Sequence, residues 1–197
     1  MLRGLVLWLL ALWAVAAINP FDRRDWLLEN LLVFFCAALL LVSSRRFRFS
    51  NLSYVLLTVF LSLHLVGAHY TYAETPLGFW LRDWLDLGRN HYDRVVHFSF
   101  GLLLARPCHE VLVRRGRIRS GWSHLLTVSV VLSLSALYEV LEAVVAMIVS
   151  PELGAAWLGT QGDEWDAQRD TSLALLGAAM TMAWLAWRER TDAREKG

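Results

Sequence analysis

The stretch Trp26–Ser43 reads WLLENLLVFFCAALLLVS and decides the class of fold. A helix needs about 20 predominantly apolar residues to cross the hydrocarbon core of a bilayer, and this run approaches that length. Five further stretches have the same character: Leu2–Ile18, Leu52–Tyr72, Tyr92–Leu112, Trp122–Val149 and Thr171–Trp187. The sequence therefore predicts an all-α fold, a polytopic membrane helix bundle with about six transmembrane helices, in which residues 1–197 form a single integral membrane domain.

The composition agrees with this class of protein. The chain is 56% hydrophobic and contains ten Trp, which is more apolar surface than a soluble domain of this size usually needs. The bilayer is thus the first predicted partner. No basic patch with interleaved aromatic residues occurs, so nucleic acid is excluded as a partner. Cys36 and Cys108 are isolated and are interpreted as small apolar side chains of the helices.

The basic residues are distributed unevenly between the two predicted sides of the membrane. Thirteen of the 19 fall on the side that holds both termini and the second and fourth loops. They are Arg3, Arg45, Arg46, Arg48, Arg106, Arg114, Arg115, Arg117, Arg119, Arg188, Arg190, Arg194 and Lys196. Because positively charged loops remain in the cytoplasm, we predict cytoplasmic N- and C-termini, with residues 188–197 as a charged tail.

The first apolar stretch has two interpretations. Ala14-Val15-Ala16 resembles the cleavage site of a signal peptide. The turn at Asn19-Pro20 and the prompt start of the second stretch favour a first span that is retained. The third loop, Ala73–His91, carries Trp80 and Trp84 beside charged residues and predicts a short amphipathic helix in the membrane interface.

Unusual polar residues gather at the predicted outward ends of spans three to six. Asp93 and His97 are four residues apart on span four and therefore share a helix face. Glu139 and Glu142 share a face of span five at i and i+3. A carboxylate in an apolar span costs at least about 2.5 kcal/mol on insertion scales, so both are functional candidates. We expect these four residues to be catalytic, with hydrogen-bonded or ion-paired structural roles as the alternative.

A second set of polar residues flanks the first. His69, at the end of span three, and Asp166 and Asp170, at the start of span six, are candidate metal ligands. The alternative for the two aspartates is a favourable position at a helix N-terminus. The charge of these residues must be balanced, because close carboxylates repel unless a cation, an arginine or a shared proton intervenes. The residues with predicted structural or charge-balancing roles are Arg94, Arg169 and Glu74.

The predicted topology brings the ends of spans four to six to the same side of the membrane, so we predict that the polar side chains of these spans meet. We expect one pocket near the outer leaflet to contain Asp93, His97, Glu139, Glu142, Asp166 and Asp170. His64 lies deeper in span three and is interpreted as a packed, hydrogen-bonded histidine. His109 and His124 fall on the predicted cytoplasmic side, away from this pocket.

Four separated blocks of the sequence resemble the YjdF family of bacterial inner-membrane proteins. The blocks are His69–Glu74, Arg89–Gly101, Ser135–Glu139 and Gly159–Asp170. The resemblance covers roughly Asn19 to Trp187 and implies a multi-pass protein of the bacterial inner membrane without naming a reaction. The last three spans are also similar to VanZ-like membrane proteins, which implies a role connected with the envelope or with a lipid-linked substrate.

Two classes of function stay open at this point. The first is a membrane-embedded enzyme, a metal-dependent hydrolase or transferase that uses a divalent metal and acts on a lipid or envelope precursor. The second is a non-enzymatic small transporter, binder or membrane assembly factor whose polar cluster binds a cation or a headgroup. The hydrolase signatures His-Glu-x-x-His and Gly-x-Ser-x-Gly do not occur, so no known motif decides between them.

Overall fold

The computed structural model describes residues 1–118 and 121–195, which form helices and no strand. Their helices are α1 (Leu2–Ala16), α2 (Arg23–Ser44), α3 (Asn51–His69), α4 (Pro76–Leu85), α5 (Tyr92–Arg114), α6 (Gly121–Ile148), α7 (Pro151–Leu158) and α8 (Asp166–Arg194). The predicted all-α fold is therefore confirmed. Arg119, Lys196 and the last residue of the predicted tail lie outside the described residues.

The six long helices coincide with the six predicted spans, and two short helices lie between them. The short helix α4 occupies the loop for which an amphipathic helix is predicted. The other, α7, is in a loop for which the sequence predicts no helix. It forms because the Ser150 side chain accepts a hydrogen bond from the backbone N–H of Leu153 and Pro151 occupies the first turn, where its missing N–H costs nothing. Gly159, at φ +59°, ends it.

Three of the helices are long and apolar enough to cross a membrane by length and composition, within the described residues. They are α2, α3 and α6, and α1 is a shorter apolar helix. With 23 and 29 residues, α5 and α8 have the length for a crossing, but they carry the charged side chains described below. The number of six transmembrane helices therefore stays a prediction.

The polarity of α2 is the reverse of that of a helix in a soluble protein. Asp25, Glu29 and Asn30 are at most 2% exposed, whereas Phe35 and Val42 are 65% and 74% exposed. In water this arrangement would lose the hydrophobic contribution to folding. In a bilayer it places apolar side chains against lipid and leaves the polar groups to find partners inside the protein.

Helices α5 and α8 pack closely against each other, and two glycines explain the close approach. A Cβ atom on Gly101 would overlap the backbone carbonyl of Ala174, and one on Gly177 would overlap that of Phe98. Small residues at such crossings let two backbones come together within a membrane. The hydroxyl of Thr181 adds a hydrogen bond to the carbonyl of Leu102 across the same seam, at 2.7 Å.

Side-chain contacts define the two ends of the bundle. One end, called here the acidic end, holds the first turns of α2, α5 and α8 together with the last turns of α1, α3 and α6. The opposite end holds the last turns of α5 and α8 and the first turns of α3 and α6. There the Glu110 carboxylate accepts hydrogen bonds from the Ser50 and Ser53 hydroxyls, at 2.9 Å and 2.6 Å, and pairs with Arg114.

Arg114 therefore has a structural contact in addition to its predicted role as a topology signal. Its guanidinium group also donates to the backbone carbonyl of Arg48, at 3.0 Å, and lies over the ring of Phe47. These contacts tie the loop before α3 to the last turn of α5.

Candidate functional site

The first turns of α5 present Asp93 and His97 on one face, as the spacing predicts. The Nε2 atom of His97 lies 3.4 Å from Oδ1 of Asp93. The other ring nitrogen, Nδ1, lies 3.5 Å from Oε1 of Glu139 on α6. His97 thus stands between two carboxylates that come from different helices.

Asp170 of α8 approaches the same imidazole. Donor atoms of Asp93, His97 and Asp170 all lie within 4.8 Å of one another. Asp170 is 1% exposed and His97 is 9% exposed, so the group is nearly closed off from the surroundings. Two carboxylates and one imidazole at this separation are a donor set for a divalent metal ion. The close α5–α8 seam is what brings the three together.

Two oxygen atoms at this group have no hydrogen-bond partner among the described residues. They are Oδ1 of Asp170 and Oε1 of Glu139, and both are buried. Buried carboxylate oxygens ordinarily have a partner, because desolvation without one is costly. Glu142 is one turn further along α6, and its carboxyl group lies close to that of Glu139. The name acidic cluster is used below for Asp93, His97, Glu139, Glu142 and Asp170.

A second group of charged residues adjoins the acidic cluster and is built differently. The guanidinium group of Arg89 donates to Oδ1 of Asp166 at 2.8 Å and to the carbonyl of Thr160 at 2.6 Å. Asp163 pairs with Arg94, and with Arg169 at 2.6 Å. This group is called the arginine–aspartate network below, and its members are Arg89, Arg94, Arg169, Asp163 and Asp166.

Asp163 lies in the loop before α8, and its pKa is below the ordinary aspartate value. Burial alone would raise the pKa. The backbone N–H of Trp165 and the guanidinium groups of Arg169 and Arg94 favour the charged form more strongly, so the net shift of the pKa is downward. Asp163 is therefore an ionised partner for arginine at neutral pH.

The start of α5 is positioned by an amide pair. Asn90 and Gln161 exchange two hydrogen bonds, from Asn90 N–H to the Gln161 side chain at 3.1 Å and from Gln161 Nε2 to the Asn90 carbonyl at 2.9 Å. The Asn90 side chain accepts from the N–H of Tyr92 and donates to the carbonyl of Thr75. These bonds fix the first turn of α5, and with it Asp93, relative to the loop before α8.

The predicted site residues are thus divided between several places. Asp93, His97, Glu139, Glu142 and Asp170 come together. Asp166 lies one helical turn from Asp170 and is paired with Arg89 instead of sharing the donor set. Arg94 and Arg169 contact Asp163. No ion pair among the described residues joins an arginine to Asp93, Glu139 or Asp170.

His69 and Glu74 lie apart from the acidic cluster. The Nδ1 atom of His69 bonds to the carbonyl of Ala16 at 2.9 Å, and its backbone carbonyl accepts from the N–H of Phe21. His69 therefore links the end of α3 to the end of α1. The side chain of Glu74 joins no ion pair among the described residues.

Sequence reasoning missed a polar extension of the site on α2. Glu29 is 2% exposed, accepts a hydrogen bond from the Tyr138 hydroxyl at 3.4 Å, and lies within electrostatic range of Asp93 and His97. Its backbone carbonyl contacts Nε2 of His64 at 3.1 Å, and the other nitrogen of that ring bonds to the Tyr72 hydroxyl. The signal was present in the sequence, because Glu29 and Asn30 interrupt the apolar run that opens the second span. His64 is packed and hydrogen-bonded, as predicted.

The long antiparallel helices of this chain carry apolar side chains on the outside of the bundle and carboxylates on the inside. This arrangement defines a polytopic helical membrane protein. A family model described as "Predicted membrane protein (DUF2238)" matches residues 1–191, and the chain belongs to that family. Inner membrane protein YjdF of Escherichia coli (strain K12) is 41% identical over 174 residues, which cover 86% of this chain and 81% of that relative. No solved structure matches. The predicted resemblance to the YjdF family is confirmed, and the similarity to VanZ-like proteins stays a prediction.

Proposed function

We propose that this protein carries a divalent-metal site at the periplasmic end of a six-span inner-membrane bundle and acts there on a lipid or envelope-related substrate as a hydrolase or transferase. Asp93, His97 and Asp170 are the proposed metal ligands. Glu139 is the proposed acid or base, with Glu142 sharing its proton. Asp166, Arg94 and Arg169 hold the site in place, and the proposal leaves His69 and Glu74 out of the metal site.

One observation carries this proposal. Three carboxylates approach His97 from three helices, and no arginine among the described residues neutralises them. The nearby arginines contact Asp163 and Asp166 instead of these carboxylates. Like charges at this separation raise the free energy of the folded state unless a cation or a proton joins them. A divalent ion would supply the missing positive charge and a partner for the buried Oδ1 atom of Asp170.

The donor set suits catalysis as well as binding. Three protein ligands leave a coordination position open for water or substrate. A divalent ion in such a site lowers the pKa of bound water, which makes a nucleophile near neutral pH. Glu139 faces His97 from the α6 side, so it is the carboxylate placed to accept or return a proton without leaving the cluster.

The surroundings support a substrate that comes from the bilayer. A shallow cavity of about 550 Å³, widely open to the surroundings, lies beside the first turn of α8 and is lined by Arg94, Trp165 and Arg169, among others. Cationic and aromatic side chains at a membrane interface suit an anionic headgroup. Arg94 follows Asp93 directly on α5, so the cavity and the acidic cluster share one helical turn.

The orientation follows from the positive-inside rule, and reporter fusions test it. Fusions at Phe47 and Arg117 should report the cytoplasm, and fusions at Trp80 and Ala156 should report the periplasm. The relative YjdF is named an inner membrane protein, which supports the same membrane for this chain. A periplasmic signal at Arg117 would overturn the six-span arrangement.

The metal site is tested by elemental analysis of the purified full-length protein. After chelation and reloading with Mn²⁺ or Zn²⁺, Asp93→Asn, His97→Gln and Asp170→Asn should each lose the metal of the acidic end. Asp83→Asn is the matched control, because Asp83 is an exposed carboxylate paired with Arg82. Glu139→Gln should keep the metal. Equal metal content in all ligand variants and the control would remove the basis of the proposal.

A lipid comparison separates an enzyme from a non-enzymatic binder. Membrane lipids would be profiled by mass spectrometry from cells that produce the wild-type protein, Glu139→Gln or Asp83→Asn at equal levels. An enzyme predicts that one lipid or lipid-linked class changes with the wild type and Asp83→Asn but not with Glu139→Gln. Identical profiles, with metal still bound, would favour the transporter, binder or assembly factor.

A further inference from the structure

A second group of potential metal ligands lies at the end of the bundle opposite the acidic cluster. His109 is near the end of α5, His124 in the first turn of α6, and Glu189 near the end of α8. Their donor atoms all lie within 4.8 Å of one another. The two imidazole rings are 4.9 Å apart between centroids and tilted by 35°. Nothing in the proposed chemistry at the acidic end uses these residues.

The hydrogen bonding of this group is incomplete. Nε2 of His109 is 3.1 Å from the Ser123 hydroxyl. His124 has both ring nitrogens buried without a hydrogen-bond partner among the described residues, and its Nε2 is 3.4 Å from a carboxylate oxygen of Glu189. A neutral imidazole has one N–H and one lone pair, and each needs a partner when buried. Stacking a second imidazole beside it supplies neither.

We propose that His109, His124 and Glu189 form a zinc site that joins α5, α6 and α8 at the cytoplasmic end of the protein. Two imidazoles and one carboxylate are an established zinc donor set, and a fourth position stays open for water. Ligand atoms around tetrahedral zinc are about 3.4 Å apart, as the metal–ligand distances imply. The His124 Nε2 to Glu189 distance of 3.4 Å already has this value, and the Glu189 side chain is 58% exposed, so it has room to adjust.

The role of this site is to join the ends of α5 and α8 to the start of α6. Each ligand comes from a different helix, so binding zinc at this point would cross-link all three. Any ion that binds only the folded protein stabilises it, and the stabilisation grows with the logarithm of ion concentration over the dissociation constant. The exposed carboxylate also gives the ion a path from the cytoplasm.

Zinc binding would be measured on the full-length protein in a His97→Gln background, which removes a ligand of the proposed site at the acidic end. Zinc alone is the probe, in competition with a chromophoric chelator after metal removal. The background protein should bind one equivalent, and zinc should raise its unfolding midpoint. Adding Glu189→Gln or His124→Ala should weaken binding at least about tenfold and abolish that rise. Glu152→Gln, an exposed glutamate on α7, is the matched control and should change neither.

This experiment distinguishes failure of the zinc site from failure of the proposed metal site at the acidic end. One zinc equivalent in both the wild type and the His97→Gln background, lost with Glu189→Gln, supports this site while the metal site at the acidic end fails. No zinc in the background, or equal affinity with Glu189→Gln and Glu152→Gln, overturns it. Glu189→Gln keeps the test decisive if His124→Ala does not fold, because Glu189 is exposed and its substitution leaves the packing intact.

Discussion

Two carboxylate-rich regions adjoin each other at one end of this molecule, and they are charge-balanced in opposite ways. In the arginine–aspartate network, Asp163 and Asp166 pair with Arg89, Arg94 and Arg169. In the acidic cluster, the side chains that approach His97 are carboxylates. In the first region every aspartate has an arginine partner, whereas no arginine among the described residues pairs with a carboxylate of the second.

Under the proposed function, this difference separates residues with a structural role from residues with a functional one. A charged side chain in a membrane is costly, and a chain that carries one for structure alone also carries its counter-charge nearby. Asp166 and Asp170 are one turn apart on α8, so the same helix serves both regions. What distinguishes the two aspartates is the identity of the neighbours that face them, and this distinction is open to test.

The largest expected effect is on stability, from Arg89→Ala in the arginine–aspartate network. The Arg89 side chain is 12% exposed and contacts Asp166, which is itself nearly buried. Removing one partner of a buried pair costs about 3–5 kcal/mol, and we expect the lower end of that range because Arg94 still lies 3.7 Å from Asp166. Thermal unfolding in detergent would measure this. Arg82→Ala is the control, since Arg82 pairs with Asp83 at the surface, where such a pair is worth about 0–1 kcal/mol.

A smaller effect is expected at Asp166, and none at Asp170. Asp166→Asn weakens a charged hydrogen bond to Arg89, which should cost about 1.5–3 kcal/mol. Asp170→Asn removes one of several mutually repelling carboxylates, so in the presence of chelator its unfolding midpoint should equal or exceed that of the wild type. Equal losses of stability in both variants would show that the two regions are balanced alike, and the comparison would fail.

The sequence predicts the fold well and the site only in part, for a physical reason. Apolar runs of membrane length report helices directly, because the bilayer sets their length. Topology predicts that Asp93, His97, Glu139 and Asp170 meet, since it brings those helix ends to one side. Topology does not predict which carboxylate pairs with an arginine. Asp166 and Asp170 are both aspartates, one turn apart on α8, and they differ only in the side chains that surround them in the folded protein.

Glu29 shows the second limit of the sequence. Within a long apolar run, one polar pair barely changes the average hydropathy, so the run is interpreted as a span and its exceptions are overlooked. The significance of Glu29 depends on its contacts with Tyr138 on α6 and with His64 on α3, which are far away in sequence. Only the folded chain shows that these residues extend the acidic cluster.

A substitution in the α5–α8 seam should disturb the acidic cluster more than the arginine–aspartate network. Gly101→Ala should cost about 1–3 kcal/mol, because the new methyl group meets the backbone of Ala174 and the helices must separate. Separation moves Asp170 away from Asp93 and His97, so Mn²⁺ affinity should fall as well. Gly4→Ala is the control, since nothing lies near a Cβ atom at that position. Unchanged Mn²⁺ affinity despite lower stability would mean that the acidic cluster does not depend on the seam.

The smallest expected effect depends on pH and concerns Asp163. Its pKa is lowered in the folded protein, chiefly because hydrogen bonding to Trp165 and the charges of Arg169 and Arg94 outweigh the opposing effect of burial. The resulting stabilisation is fully present above the unfolded-state pKa, and it is lost as the pH falls through the lower, folded-state pKa. Asp163→Asn should therefore unfold at a lower temperature than the wild type near neutral pH. The two midpoints should converge as the pH drops below the ordinary aspartate value of 3.8.

Unfolding midpoints of both proteins, measured in steps from neutral pH to strongly acidic pH, test this expectation. Asp192→Asn, at the exposed far end of α8, is the control and should follow the wild type throughout. A gap that stays constant to the lowest pH would mean that Asp163 contributes through packing and not through its charge. A gap that widens in acid would reverse the sign and contradict the assignment of Asp163 to the charge-balanced region.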